Sequence, residues 1–430
     1  MRFIPELAKF RPRVFIPAIA LYAVAGLVNA EECEPGWNDF SSGGQIGLAG
    51  GAVRAMVEFR GDLIVGGQLD TAGGQQINHI ARWDGEEWHV LESGGQVGVG
   101  GESTGGGPAV NALAVWNDNL IVAGPFQTAG GQIMNRIARW DGESWHPIIT
   151  MDDEDQEIIG VGSTINRRIN DVLVFEDALI VGGFFETAGG VTVNNIARRV
   201  GSNWLPFEYE GEIGLHLEVN SLSTWQGDLV VGGQFRVINA LTYNRIARWD
   251  GAGWRRFVSG GQRGVDGSAS QLRVGTMLEH DGSLYIGGNF DTAGDQEVNR
   301  IARWDGEHWR ALEVDGVAGV SVSGSGSPRV NALVEFEGDL VIGGSFTEAG
   351  GETMNHIARW DGESWHPFVS GPDTGMQTRV DSLKVRDEVL LAGGVFNEAG
   401  GQEVRRLASW DGCRDDDSDL IFRSTFEVLE

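Results

Sequence analysis

The chain is poor in lysine, tyrosine and cysteine, and poor in apolar runs. Apart from Lys9, its only lysine is Lys384, so arginine carries almost all of its positive charge. Against 32 basic residues stand 61 acidic ones, a formal charge of −29. A surface of that sign repels nucleic acid and anionic lipid, which argues against both as partners. With 4 tyrosines and 2 cysteines, Cys33 and Cys413, chemistry that needs clusters of either is excluded. No segment shows the period of an amphipathic helix, so helical and leucine-rich solenoids are excluded too. The one long apolar run, Val14 to Leu27, is too short to span a bilayer comfortably.

That run follows a basic start, Arg2, Lys9, Arg11 and Arg13, and precedes Val28-Asn29-Ala30 and the acidic Glu31-Glu32. The pattern is that of a secretory leader over residues 1–30, cleaved after Ala30. Its removal would leave 28 basic against 60 acidic residues, a charge of −32. The context before Cys33 lacks the small residues of a lipid-anchor site, and no later run could cross a membrane. We therefore expect a secreted or extracellular protein, with the bacterial periplasm or the cell surface as variants. Its acidity reads as solubility, with cation binding, calcium in particular, as the alternative.

What the chain has is a repeat. Ile-Ala-Arg-Trp-Asp-Gly or a close variant starts at Ile80, Ile137, Ile196, Ile246, Ile301, Ile357 and Leu407, at intervals of 50 to 59 residues. Such a period marks an array of like supersecondary units. One unit reads from Val330. Val330–Phe336 is strand-like, Glu337-Gly338-Asp339 a turn, and Leu340-Val341-Ile342 a second strand ending at Gly343-Gly344. Ser345 to Met354 connects to a third strand, His356–Trp360. Asp361-Gly362 is a two-residue hairpin signal, and Trp365–Phe368 gives the fourth strand. These are strands a to d. Four short antiparallel strands repeated seven times predict an all-β, seven-bladed β-propeller over residues 31–413, followed by an acidic tail, 414–430.

Trp88, Trp145, Trp204, Trp254, Trp309 and Trp365 sit in strand d of six units, but the seventh stops at Trp410-Asp411-Gly412-Cys413. Gly36-Trp37-Asn38-Asp39-Phe40 has the missing strand d pattern. The N-terminal strand is thus expected to complete the last blade and remove its open edge. Cys33 and Cys413 then flank that closure, and in an oxidising compartment they are expected to form a disulfide, free thiols being the alternative. A loop of that length would stabilise by about 4–5 kcal/mol on the chain-entropy view. Six further tryptophans, Trp83, Trp140, Trp249, Trp304, Trp360 and Trp410, fall in strand c, and Trp116 and Trp225 end strand a. All fifteen are assigned to packing between blades rather than to a ligand surface.

The apolar strand ending in Gly-Gly (Gly66-Gly67, Gly182-Gly183, Gly232-Gly233, Gly287-Gly288, Gly343-Gly344 and Gly393-Gly394, with Ala123-Gly124 the exception) resembles the kelch repeat of the galactose-oxidase central domain. The fuller phrase, Gly-Gly-x-Phe-x-x-Ala-Gly-Gly then Asn-x-Ile-Ala-Arg-Trp-Asp-Gly-x-x-Trp, is similar to the delta-60-type repeats of secreted bacterial proteins. It is also similar to the repeats of fungal cell-surface polarity markers. The resemblance covers residues 36 to 413 and implies the propeller fold, while saying little about activity. Asp419–Glu427 is similar to a short C-terminal signature of secreted proteobacterial proteins, with Ser424-Thr425 where Asp-Gly is usual.

Several chemistries then drop out. Galactose oxidase needs copper ligands and a Cys–Tyr link that Tyr209, Tyr243 and Tyr285 and the two terminal cysteines do not supply. The hairpin Asp361–Trp365 resembles a sialidase Asp-box one residue short, without an arginine triad. His79 and His356 precede strand c, and His89, His146 and His366 follow the strand d tryptophan, so they are spread by the repeat and form no metal cluster. Arg60-Gly61-Asp62 spells an adhesion tripeptide, but Gln226-Gly227-Asp228 and Glu337-Gly338-Asp339 fill the same a–b turn. Asp152–Asp155 and Asp415–Asp419 are acidic runs that read as solvated loops, with calcium the alternative.

Short a–b and c–d turns share one face, and the b–c and d–a connections the other. The d–a stretches Glu92–Ala109, Thr150–Arg168, Ser259–Leu272, Val314–Arg329 and Ser370–Arg379 vary most, and variable loops on a rigid scaffold are where function usually sits. We expect a non-enzymatic extracellular binding or structural module without a cofactor, its partner a protein or cell-surface ligand met on that face. The alternative is an extracellular polysaccharide-active lyase or hydrolase. Converging ionisable side chains at the channel mouth would favour the alternative; a uniform ring there would oppose it.

Overall fold

The structure, a computed structural model, describes residues 35–101, 107–162, 167–269 and 271–412. The expected leader, Cys33, Cys413 and the tail with Asp415–Asp419 lie outside the described residues. Within them there is no helix. Seven antiparallel sheets each carry four consecutive strands in the spatial order a-b-c-d. Sheet 1 is built of Leu48–Phe59, Asp62–Ala72, Ile80–Trp83 and Trp88–Val90, and also holds the two-residue strand Gln75–Gln76. Sheets 2 to 6 follow in chain order, with strands a at Ala112–Trp116, Arg168–Phe175, Val219–Trp225, Arg273–His280 and Val330–Phe336. Sheet 7 joins Val380–Arg386, Val389–Gly394 and Leu407–Asp411 to the N-terminal strand Gly36–Asn38, in the register Trp37↔Trp410.

Strand b is a continuous apolar run rather than an alternating one because both of its faces are covered. Asp228–Gly233, for example, has one half-buried residue and then five buried ones. The covering group on one side is strand a of the next sheet. Each strand a carries a buried β-branched residue in or just before its first half: Val53, Val110, Ile169, Val219, Val274, Val330 or Val380. That residue seats on the first glycine of the preceding sheet's Gly-Gly pair. A Cβ on Gly343 would lie 2.6 Å from Val380 Cγ1, and one on Gly66 would lie 2.5 Å from Val110 Cγ1. No side chain fits there, so the repeat needs glycine at this point for packing. In sheet 2 Ala123 stands at that position, in the same core cluster as Ile169.

The same seam joins sheet 7 to sheet 1. A Cβ on Gly393 would meet Val53 Cγ1 at 2.5 Å, and Ser382 Oγ donates to the Val53 carbonyl at 3.4 Å. The Arg406 guanidinium donates to the Gly50 carbonyl at 3.1 Å through Nη2, and Arg386 to that of Gly61 at 2.6 Å. Strand a of each sheet thus packs on strand a of the next, and that of sheet 7 on that of sheet 1.

The tryptophans pair across strands c and d at the outer part of each sheet. Ring centroids lie 5.0 Å apart for Trp37–Trp410, 5.1 Å for Trp83–Trp88 and 4.9 Å for Trp360–Trp365. An aromatic from the preceding sheet's connection completes several pairs: Phe368 stands edge-on to Trp410 at 5.1 Å, and Phe40 to Trp83 at 5.4 Å. Each such contact contributes about 0.5–1.5 kcal/mol beyond area burial. Sheet 3 has Arg199 in place of the strand c tryptophan, and its guanidinium lies 5.5 Å over the Trp204 ring.

The glycine seam is testable with two alanines. Gly343→Ala forces a Cβ into Val380 and is expected to cost about 1–3 kcal/mol, as overpacking does. Gly275→Ala meets no atom nearer than 3.8 Å and should stay within about 0.5 kcal/mol of the parent. Urea denaturation midpoints of the two variants check both values.

Candidate functional site

The β-branched anchor is flanked by two positions that both line an opening in sheets 3 to 7, whereas Ala52 and Ala109, before the anchors of sheets 1 and 2, are buried. The following residue is unpaired in six of the seven sheets because a β-bulge interrupts the a–b register there, as between Val380 and Ser382 or Val219 and Ser221. The bulge accompanies the second glycine of the pair. A Cβ on Gly344 would lie 2.0 Å from the Arg329 carbonyl oxygen of its own strand a. A bulge re-aims a side chain, and here the re-aimed residues are Arg54, Asn170, Asn220, Gly275, Asn331 and Asp381, with Asn111 at the matching place in sheet 2. The residue before the anchor is Arg168, Glu218, Arg273, Arg329 or Arg379 in sheets 3 to 7.

These two tiers line one cavity of about 720 Å³ at the start of the strands a, on the face of the b–c and d–a connections. Its lining includes six arginines, Arg54, Arg167, Arg168, Arg273, Arg329 and Arg379, and two carboxylates, Glu218 and Asp381. Among the described residues no aromatic side chain lines it. The mouth is therefore cationic in a chain of charge −29. Low-dielectric walls around charges of one sign focus their field outward. Below, a second cavity of about 330 Å³ is ringed by Met56, Leu113, Leu222, Met277, Leu333 and Leu383, an apolar collar under the polar cup.

Part of the cup is internally satisfied. Arg168 forks onto Glu218 with Nε–Oε1 2.8 Å and Nη2–Oε2 2.7 Å. Asn170 adds 2.7 Å and Gln234 3.1 Å to the same carboxylate, which is only 8 % exposed. Arg379 Nε lies 3.0 Å from both oxygens of Asp381, and Asn331 donates to it at 3.1 Å. Successive sheets are also stitched by amides: Asn111 donates to the Ile169 carbonyl at 3.0 Å, Asn170 to that of Val219 at 2.7 Å, and Arg54 to Asn111 at 2.8 Å. Burial lowers the pKa of Arg54, with Arg379 adding to the effect and Asp381 opposing it. Burial likewise lowers that of Arg273, helped by Arg329 and Arg168 against Glu218. Burial raises Asp381, against the pull of Arg379 and Arg54.

One acid lies deeper. Asp171 follows the bulge of sheet 3 and accepts backbone N–H groups of Val172 at 2.8 Å and Leu222 at 2.7 Å. It lies on the wall of the lower cavity, where the surrounding protein strips away most of its hydration. That desolvation pushes its pKa up to about 7, against the two hydrogen bonds.

Other features singled out in the sequence lie elsewhere. No tryptophan lines the mouth. In the Arg60-Gly61-Asp62 turn, Asp62 is held by Arg82 at 2.6 Å and Arg60 lies over the Phe59 ring at 5.0 Å, so local contacts occupy both charges. His89, His146 and His366 each contact the aspartate of their own c–d hairpin, as His366 Nε2 with Asp361 Oδ2 at 2.6 Å. In the run Asp152–Asp155, Asp152 accepts the N–H groups of Glu154 and Gln156, closing a turn. Among the described residues no group of three or more histidine, cysteine or acidic side chains is placed to hold a metal.

The d–a stretches need correcting. They are less irregular than expected, because each opens with a small hairpin or bridge, such as Glu92–Ser93 with Gln96–Val97. Five then pair by a strand or bridge with the b–c connection of the next sheet, as Val320–Ser321 does with Glu348–Ala349. Arg167, Arg168, Arg329 and Arg379 fall at the ends of d–a stretches legible in the sequence, but their convergence with Arg54 and Arg273 on one opening has no local signal. Aligned on the anchor, four of the seven copies carry arginine just before it: Arg168, Arg273, Arg329 and Arg379.

Comparison with known proteins bears on the fold. A family profile described as "Domain of unknown function (DUF5122) beta-propeller" matches residues 280–304. The extracellular domain of a putative hybrid two-component system from B. thetaiotaomicron superposes with TM-score 0.51 at 10% identity, covering 87% of this chain and 39% of that one. The fold is a β-propeller. The WD40 propeller domain of Doa1 matches with TM-score 0.45 at 11% identity over 89% of this chain and 98% of its own. YCF48 bound to D1 peptide matches with TM-score 0.45 at 12% identity over 87% and 96%. The propeller spans well under half of the two-component protein's chain. No curated protein matches the sequence. No helix among the described residues is long and apolar enough to cross a membrane.

Asp171 makes a pH prediction. Its folded pKa of about 7 lies above the ordinary 3.8, so the folded protein keeps a proton that the unfolded chain releases. The stability it contributes is complete below about pH 4 and is lost as pH rises toward 7. In a pH series of denaturation midpoints, wild type should fall relative to Asp171→Asn across that window. Parallel curves would contradict the assignment.

Proposed function

We propose that this propeller is a closed, seven-bladed ring, secreted, and that it works without catalysis as an extracellular binding module through the face of the b–c and d–a connections. The observation that carries this reading is the mouth itself. The repeat fills its other columns almost uniformly, yet the two tiers around the opening differ from sheet to sheet and add up to a cationic cup. A scaffold of charge −29 has no packing reason to gather six arginines at one point. The two-component neighbour is itself an extracellular domain, which agrees with this location. The repeat's similarity to delta-60-type secreted proteins belongs to the same reading, as does a protein or cell-surface partner. Calcium would enter only as a modulator outside the cup.

A second reading has a specific observation in its favour. Ionisable groups do converge at the channel mouth, and Asp171, a proton donor near neutral pH, lies beneath them. That is the arrangement an extracellular polysaccharide lyase or hydrolase would need. The internal pairing of Glu218 and Asp381 favours binding over catalysis, since neither carboxylate is free to act as a base.

Two experiments test the proposal. Capture of extracellular material by the immobilised protein, with and without calcium, should fall at least about tenfold in the mouth variant Arg379→Glu and be unchanged in Glu363→Arg on the c–d face. Equal loss in both variants would contradict the face assignment, and cleavage of acidic polysaccharide by the same sample would transfer the conclusion to the enzyme. Separately, a Cys33–Cys413 bond closing the ring predicts an intact mass two hydrogens lighter before reduction than after, and no mass change would refute it.

A further inference from the structure

The cup is not equally satisfied around its rim. On one side the Arg168–Glu218 fork is complete, and on the other the Arg379–Asp381 pair is complete. Between them, on sheets 5 and 6, Arg273 and Arg329 form no side-chain hydrogen bond or ion pair with the described residues, although they lie close enough for each to oppose the other's charge. Arg329 Nε is shielded from solvent and has no partner, and Asn220 Oδ1 beside them is in the same condition. Groups left in this state cost free energy unless something else meets them.

The backbone leaves room for that something. The bulge position of sheet 5 is Gly275, where the other sheets place Arg, Asn or Asp. Unlike the seam glycines, it is not required by packing: a Cβ there would meet nothing closer than 3.8 Å. The missing side chain leaves a notch in the cavity wall that Asn220 also lines, with Arg273 Nε 3.8 Å from where its Cβ would stand. All of these residues line the same cavity.

We propose that this notch binds the carboxylate of an acidic sugar, held between Arg273 and Arg329, with Asn220 accepting a neighbouring hydroxyl. The assignment rests on the reading of the mouth as the binding face. Two unpaired guanidiniums ask for an oxyanion and offer it forked donors. A buried amide oxygen asks for a donor that a simple anion lacks and a sugar hydroxyl supplies. Among the described residues the lining has no aromatic ring and is mostly polar, which disfavours neutral sugars that rely on stacking and peptides that need apolar pockets.

Calorimetry on the mature protein tests this with glucuronate, glucose and inorganic sulfate as probes. The expected result is saturable glucuronate binding that weakens with salt, no binding of glucose, and sulfate binding at least about tenfold weaker than glucuronate. Arg329→Gln and Gly275→Asn, the latter filling the notch, should each weaken glucuronate binding about tenfold or more. Gly275→Asn also guards against misfolding, because nothing in the packing opposes it, and unchanged denaturation midpoints confirm that both variants are folded. Absent glucuronate binding, binding indifferent to both substitutions, or sulfate bound as tightly as glucuronate would overturn the proposal. If glucuronate fails while face-dependent capture persists, the sugar-acid assignment alone falls. If both fail, the binding-face reading falls with it.

Discussion

Everything in this structure depends on how closely one sheet approaches the next. The approach is set by a hydrogen atom: the first glycine of each Gly-Gly pair has no Cβ, and the β-branched anchor of the following sheet occupies the vacated space. Six of the seven junctions use this contact, and sheet 2 makes do with Ala123. The contact recurs at Gly393 and Val53, between the last sheet and the first. Interdigitation of this kind gains little per atom, but it is repeated at every junction and brings strand b under cover on both faces.

The mouth is a consequence of that seam. The second glycine lets strand a's carbonyl approach strand b, the bulge follows, and the bulged residue turns toward the axis. Each sheet then delivers its side chains to one opening. Because the anchor alone is constrained in sheets 3 to 7, its two neighbours there can change without disturbing the packing. That freedom explains how a nearly uniform array carries Arg, Glu, Asn, Gly and Asp at equivalent places. The outer tryptophan pairs do the opposite, holding the rim of each sheet in one arrangement and presenting nothing to a ligand.

Much of the architecture was legible in the sequence. The recurring Ile-Ala-Arg-Trp-Asp-Gly phrase marks strand c and its hairpin directly, and Trp37 identifies the N-terminal segment as the strand that pairs with Leu407–Asp411. The Gly-Gly pairs were visible as a repeat signature, but their purpose was not, since the atom that the first glycine avoids belongs to another sheet at least 37 residues away in the chain. The cationic cup was hidden for a related reason. A bulge leaves no local mark in a strand such as Val219–Trp225, and net charge over the whole chain points the other way. The long d–a stretches carry the obvious variation in the sequence, yet each holds a regular hairpin.

Amide hydrogen exchange at the N-terminal strand tests the account most directly, because sheet 7, which packs on both sheet 6 and sheet 1, is completed by residues far apart in sequence. The account predicts that Trp37 and its neighbours, paired with Leu407–Asp411, exchange as slowly as strand d of the other sheets and lose protection together with them on denaturation. Exchange of Gly36–Asn38 at the rate of an unstructured terminus, with the other six outer strands still protected, would contradict it.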